Sequence, residues 1–307
     1  MSAMATDSKA RLRRYAPFGT AIEAPVAAPG LYLIATPIGN LGDITLRALE
    51  LLAGVDVIAC EDTRVTRRLM ERYGITTPLT PYHEHNAAEA RPKLLARLAD
   101  GQAVALVSDA GTPLISDPGY KLVRAVSESG HTVTALPGAS AALTALSVAG
   151  LPTDRFFFEG FLPPRQIARQ KRIAALANIP ATLVLFESGP RIAAAIADLA
   201  AAFGARAAAI CRELTKLHEE VKRGDLEALA HEYSAGAETR GEFVIVVGPP
   251  PDRAETTDSI DDLLRQALAR VSVKDAVGEV ALATGRPRRE VYQRAIVLAR
   301  NTAGGRD

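Results

Sequence analysis

The feature that most constrains this chain is an alternation that begins at Gly30. Short apolar runs are each closed by a loop of small, turn-forming residues, and segments of helical spacing lie between them. Residues 31–35, 55–60, 103–107 and 133–136 read as buried strands. Residues 45–52, a polar stretch over 63–73, 88–98, a segment from 118 towards 129, and 139–148 read as the helices between them. Asp43 or Thr45 is placed to cap the first helix. Asp117, before Pro118, is placed to cap the fourth. Strand–helix alternation of this kind builds a mostly parallel sheet covered by helices.

Gly150-Leu151-Pro152-Thr153-Asp154 breaks the pattern, and a second α/β segment follows. Its strands are expected at 155–159, 182–186, 207–211 and 243–247, with 218–222 as a further candidate. Helices are expected at 165–177, 192–203 and 226–233. Pro249-Pro250-Pro251 ends this segment, and three short helices at 260–269, 274–283 and 288–299 complete the chain. The expected organisation is a flexible Ala- and Pro-rich leader (1–29), two α/β domains (30–150 and 151–249) and a helical tail (250–307). No apolar stretch reaches a membrane-spanning length, and the basic N-terminus lacks the apolar region of a secretory signal, so a cytoplasmic protein is expected.

The 307 residues carry a formal net charge of +1, which argues against a uniformly basic nucleic-acid coat protein but not against local basic patches. Arginine supplies 29 of the 36 basic residues, so a single arginine carries little information. Cys60 and Cys211 each end an apolar run and read as buried small hydrophobes, not as a disulfide or metal site.

Three loops, 36–40, 108–113 and 137–141, follow three strands and consist largely of Gly, Pro, Ser, Thr, Asp and Ala. In an open parallel sheet, ligands bind at the carboxyl ends of strands, where small residues let the backbone approach them. One such loop is an ordinary turn; three at successive strand ends point to a shared binding site. The dinucleotide fingerprint, the phosphate-binding P-loop and the hydrolase nucleophile elbow are all missing. His83-Glu84-His85 fits a loop or strand better than a metal site. Glu61-Asp62, after a strand, either does acid–base work or caps the next helix.

The chain resembles the tetrapyrrole methylase superfamily and, within it, the ribosomal small subunit RNA methyltransferase I family, over nearly all of 30–300. The resemblance rests on Ala35-Thr36-Pro37-Ile38-Gly39-Asn40-Leu41, Cys60-Glu61-Asp62-Thr63-Arg64, His83-Glu84-His85-Asn86, the run Ser108-Asp109-Ala110-Gly111-Thr112-Pro113 continuing to Gly119, Leu136-Pro137-Gly138, Glu159-Gly160-Phe161-Leu162-Pro163 and Arg212-Glu213-Leu214-Thr215-Lys216. The ordered set is specific where each piece alone is modest. It implies a two-domain α/β fold with a cofactor cleft between the domains, a helix-turn-helix-like tail and a homodimer. It implies methylation, from S-adenosylmethionine, of the ribose 2′-oxygen of a cytidine in the decoding region of 16S rRNA in the small ribosomal subunit.

By matching motif positions, the resemblance places Thr36, Pro37, Ile38, Asp109, Gly111, Thr112, Ser140 and Ala141 on the cofactor, with Phe186, Leu214 and Phe243 from the second domain. A ribose hydroxyl is a poor nucleophile and needs a base, or a cation that lowers its pKa. Glu61, Asp62, His83, Glu213 and Lys216 are the candidates; Glu61 ranks first because it follows a strand end, and Lys216 is the second residue assigned to catalysis. No metal is implied. Arg64, Arg67 and Arg68 on one helix, Arg165, Arg169 and Lys171 on another, and Arg286 and Arg288 in the tail are assigned to RNA phosphates. Tyr82 and Phe161 fit core packing better than stacking on a base. One departure stands out: the Pro-His-Arg usual after Glu-Ser is here Gly189-Pro190-Arg191. The competing readings are a methyltransferase for a tetrapyrrole or other small molecule, and a non-catalytic nucleic-acid binder.

Overall fold

The computed structural model describes residues 13–251, 257–284 and 286–303. They divide into two compact units that part at Pro249/Pro250.

The first unit opens with a small antiparallel pair, β1 (Arg14–Tyr15) and β2 (Ile22–Glu23). This corrects the expectation of a flexible leader from residue 13 onward; residues 1–12 lie outside the described residues. Tyr15 and Ala24 are buried. Arg13 pairs with Asp56 at 2.7 Å and also donates to the Gly54 carbonyl. An apolar ring and a paired arginine hold what composition alone presents as loose.

Five strands then form a wholly parallel sheet: β3 (Gly30–Ile34), β4 (Val57–Cys60), β5 (Leu79–Pro81), β6 (Ala103–Val107) and β7 (Val133–Leu136), in the order β5-β4-β6-β3-β7. The helices between them are α1 (Leu46–Gly54), α2 (Thr63–Arg72), α3 (Ala87–Ala99), α4 (Tyr120–Glu128) and α5 (Ala141–Ala149). Every residue of β4 and β6 is buried, as both faces of a helix-covered parallel sheet require. The Thr45 hydroxyl caps α1 by accepting from Ala48 N. Short β5, between Pro78 and Pro81, has too few residues to show a period.

The second sheet is differently built. It contains β8 (Phe156–Phe161), β9 (Thr182–Ser188), β10 (Ala207–Arg212), β11 (Glu220–Asp225) and β12 (Glu242–Val247), in the order β11-β10-β12-β9-β8. Only β8 and β9 are parallel; the other neighbours are antiparallel. Its helices are α6 (Gln166–Leu176), α7 (Gly189–Phe203) and α8 (Leu226–Ser234). The boundary expected at 150 separates the sheets but not the cores. Ala142, Ala145 and Ala149 of α5 pack with Val184, Ala209, Val244 and Val246 of the second sheet, and small side chains permit that close approach. Cys60 and Cys211 are both free and fully buried, as expected.

The second unit contains α9 (Thr257–Leu268), α10 (Val273–Thr284) and α11 (Arg288–Ala303) around a core that includes Leu264, Ala276, Val280 and Val291. Arg294 grips Asp261 bidentately at 2.6 and 2.7 Å, tying α11 to α9. Among the described residues, no helix is long and apolar enough to cross a membrane.

Candidate functional site

The three loops at the carboxyl ends of the parallel strands are stitched together. Thr36 and Gly111 exchange backbone hydrogen bonds of 2.9 and 3.0 Å. Thr36 Oγ1 donates to Ser108 O, and Ser108 Oγ donates to Gly111 O. The third loop joins through Thr112 Oγ1, which donates to Ala139 O at 3.0 Å. Gly111 adopts φ +82°, which favours glycine, and a Cβ there would crowd Ile38 Cγ2 at 3.2 Å.

The stitched loops form one wall of a cavity of about 340 Å³, and the second sheet forms the other. Nine of the eleven residues assigned to the cofactor line it: Ile38, Asp109, Gly111, Thr112, Ser140, Ala141, Phe186, Leu214 and Phe243. Ser140 also caps α5, accepting from Leu143 N. Thr36 and Pro37 line an adjoining recess instead, with Thr36 itself buried by its contacts to the second loop. The cavity has apolar walls at Ile38, Phe186, Leu214, Phe243 and Val244 and a carboxylate rim at Asp109 and Asp117. That fits a flat apolar group joined to a cation.

A further recess, reached past Asp109, is lined by Glu61, Asp62, Arg64, Pro81, His83 and His85. Here the structure divides the Glu61-Asp62 pair. Asp62 is the cap of α2: its carboxylate accepts from Arg64 N at 2.8 Å and is gripped by the Arg64 guanidinium, which holds its pKa down at about 2. Glu61 is left to face the recess. Burial raises its pKa, and the Asp109 carboxylate raises it further. Asp109 in turn accepts from Asp62 N at 3.0 Å, which fixes it where the two spaces meet. His83 and His85 sit before α3 with ring centroids 6.0 Å apart, and His83 Nδ1 is buried without a hydrogen-bond partner.

Lys216 lies on the other side, between the cofactor cavity and the recess beside Thr36. Its ammonium donates to Glu213 and Glu242, each at 2.8 Å. Burial opposes its charge, but the two carboxylates outweigh burial and raise its pKa. Lys216 therefore holds its proton, and of the roles considered for it only that of a cation remains. Burial also works against ionisation of Glu213. Lys216 and the Glu242 N–H prevail and hold Glu213 below the usual carboxylate range. A Cβ on Gly241 would lie 2.6 Å from Glu213 Oε1, so that network requires a glycine there.

Two expectations about single residues are corrected. Asp117 does not cap α4, which starts at Tyr120 behind Gly119 with no side-chain cap. Its carboxyl lines the cavity instead, and burial, then Glu61 and Asp109, push its pKa up to about 6. Phe161 is not core: it is 54% exposed, lines the cavity and meets the Phe186 ring edge-on, whereas Tyr82 is buried as expected.

The arginines divide as well. Arg64, Arg67 and Arg68 are exposed on α2. Arg165 and Lys171 are exposed at α6, but Arg169 is buried and its Nε donates to Asp198 at 2.7 Å. With its guanidinium turned inward, Arg169 has no face for a phosphate, which corrects its assignment. In the second unit Arg288 is exposed, and Arg286 pairs with Glu290 at 2.5 Å. At the altered Glu-Ser segment, Pro190 sits in the first turn of α7, where its missing N–H costs no helical bond. A Cβ on Gly189 would lie 2.0 Å from Thr239 O, so this approach admits only glycine.

Residues 30–230 match the family model described as Tetrapyrrole (Corrin/Porphyrin) Methylases, and residues 254–299 match the RsmI C-terminal HTH domain. A protein of Mesorhizobium japonicum called "Ribosomal RNA small subunit methyltransferase I" is 50% identical over 289 residues, covering 94% of this chain and 98% of that one. The chain belongs to the ribosomal RNA small subunit methyltransferase I family. A Xylella fastidiosa member with the same name is 46% identical over 274 residues, covering 87% of this chain and 99% of its own. Among solved structures, uroporphyrin-III-C-methyltransferase from Thermus thermophilus matches 72% of this chain and 94% of its own, with TM-score 0.51 and 23% identity. Diphthine synthase matches 71% and 89%, with TM-score 0.55 and 19% identity. These two likenesses show the shared fold. Membership of the methyltransferase I family makes the chain a methyltransferase.

Proposed function

We propose that this chain transfers a methyl group from S-adenosylmethionine to the ribose 2′-hydroxyl of a cytidine in the decoding region of small-subunit ribosomal RNA. The observation that carries the reading is the meeting of two spaces at Asp109. One is an apolar cavity with a carboxylate rim; the other is a recess holding Glu61.

Bound S-adenosylmethionine supplies an activated methyl on a sulfonium. Phe186, Phe243, Leu214 and Ile38 offer apolar walls to its adenine, and Asp109 stabilises its positive charge. The loop made by Ala110, Gly111 and Thr112 approaches with little side chain in the way. The acceptor ribose enters the recess beside His83 and Pro81. Glu61 takes the proton of the 2′-hydroxyl, a role its raised pKa suits. Much of the rate comes from holding the acceptor oxygen in line behind the methyl. Arg67 and Arg68 on α2, with Arg165 and Lys171 at α6, contact RNA phosphates. Arg288 does the same from the helical unit.

The test is incubation of the protein with labelled S-adenosylmethionine and small ribosomal subunits from a strain lacking the enzyme, followed by nuclease mapping. Label on one cytidine ribose is expected. Absence of label from RNA overturns the reading, and label in a small molecule replaces it with the small-molecule alternative. Asp109→Ala is expected to weaken cofactor binding about tenfold or more by loss of a charged contact. Unchanged affinity would remove Asp109 from the cofactor site.

A further inference from the structure

Asp117 stands apart from the other acidic groups around the cavity. Its carboxyl lines the same space as Asp109, yet among the described residues it has no hydrogen-bond donor and no cation at ion-pair distance. The neighbours that bear on it electrostatically are Glu61 from the end of β4 and Asp109 from the loop after β6, and both are acidic. On the β8 side, Gly160 leaves room for the Ser116 hydroxyl, and adjacent Glu159 is already held bidentately by Arg172 at 2.6 Å. Across the cavity, Glu187 is paired with Arg191, and Lys216 is shared by Glu213 and Glu242. Arg172, Arg191 and Lys216 are thus each already engaged by another carboxylate. Among the described residues the negative charge at Asp117 has no counterpart.

We propose that Asp117 joins Asp109 in distinguishing the positively charged methyl donor from the neutral thioether it leaves behind. This rests on the reading of the cavity as the S-adenosylmethionine site. In the transfer, the acceptor oxygen forms a bond to the methyl carbon as the carbon–sulfur bond breaks. The bonding pair stays on sulfur, and the hydroxyl proton goes to Glu61. The sulfonium charge is thereby lost. Before the transfer, Asp117 faces a cation that compensates its isolated charge; afterwards it faces a neutral sulfur. An ionised Asp117 therefore favours exchange of product for fresh donor.

The sign of the pH dependence follows. The donor cation lowers the pKa of Asp117 below its value of about 6 in the free protein, and the neutral product does not. Above that value Asp117 is ionised in both complexes and the preference for donor is full. Below it Asp117 is protonated first in the product complex, and the preference declines until Asp117 is protonated in the donor complex as well. A displacement of about one pKa unit corresponds to about tenfold in relative affinity.

The experiment is calorimetric titration of the full-length protein with S-adenosylmethionine and, separately, S-adenosylhomocysteine between pH 5 and pH 8. The expected result is a ratio of product Kd to donor Kd that rises about tenfold with pH in the wild type and stays flat in Asp117→Asn. Asp117→Glu, which retains the charge, should restore the slope. A wild-type ratio independent of pH, or an Asp117→Asn ratio that still rises, overturns the proposal while leaving the cofactor site intact. Failure of both ligands to bind the wild type overturns the cofactor reading, and this proposal with it.

Discussion

The two sheets treat their carboxylates in opposite ways. At the strand ends of the parallel sheet, Glu61, Asp109 and Asp117 lie near one another with no ion pair among the described residues, and the pKa values of Glu61 and Asp117 rise. Around the second sheet five acids are paired: Asp198 with Arg169, Glu159 with Arg172, Glu187 with Arg191, and Glu213 and Glu242 with Lys216. On the first sheet's side Asp62 is paired with Arg64 and caps a helix, and Asp56, at the opposite end of β4, is paired with Arg13. Charge left uncompensated marks a place where a ligand supplies the counter-charge. Charge compensated within the chain marks structure. On the proposed reading the parallel sheet carries the chemistry on its loops, and the mostly antiparallel sheet forms the opposite wall of the cavity.

The largest expected effect breaks a pair on the structural side. Arg169→Ala strands the buried Asp198, leaving it only Gln170 as a side-chain partner. Breaking a buried pair in this way costs about 3–5 kcal/mol. Urea denaturation should show that loss, while the RNA affinity of the folded fraction stays at the wild-type value. A stable Arg169→Ala protein with weakened RNA binding would return Arg169 to the RNA interface. Next in size is a change on the catalytic side. Glu61→Gln keeps the shape of the recess and removes the base, so kcat should fall about a hundredfold or more with little change in donor Kd. A normal kcat would transfer the base role to another group, with His83 in the same recess the first to examine.

Much of this division is legible in the sequence, and its gaps have physical causes. The parallel sheet announces itself through all-apolar runs, because strands buried on both faces need them. The loops that line its cavity show in the small residues at 36–40, 108–113 and 137–141. Nine of eleven cofactor assignments converge on one cavity because motif positions at strand ends are set by the fold. What sequence does not show is the direction of a side chain. Asp117 before Pro118 has the form of a helix cap, but the helix begins two residues after that proline and frees the carboxyl for the cavity. Asp62, equally open to either role, is the true cap. Arg169 sits in a basic run that looks solvated until α6 packs on α7 and turns one member inward. The ordered segment at 13–29 depends on Arg13 reaching Asp56, a contact across 43 residues that no local pattern reveals.

The smallest expected effect is the one that separates the two kinds of carboxylate most cleanly, because its sign is reversed. An acid whose folded pKa lies above its unfolded value opposes folding once it ionises. Asp117 rises from 3.8 to about 6, so the unfolded chain releases this proton more readily than the folded one. That penalty is absent below about pH 4, grows as pH rises towards 6 and is constant above it. Asp117→Asn removes the charge and should therefore stabilise the protein at pH 8. The gain is at most about 3 kcal/mol and well below that after screening by water in the open cavity. At pH 4 the two proteins should melt alike. Thermal denaturation at both values decides the matter. Equal stability at pH 8 would mean that a compensating charge reaches Asp117 in solution, and the contrast between the two sheets would lose its clearest member. A gain seen only at pH 8 would show an enzyme that gives up stability at its cleft to hold a charge ready for its ligand.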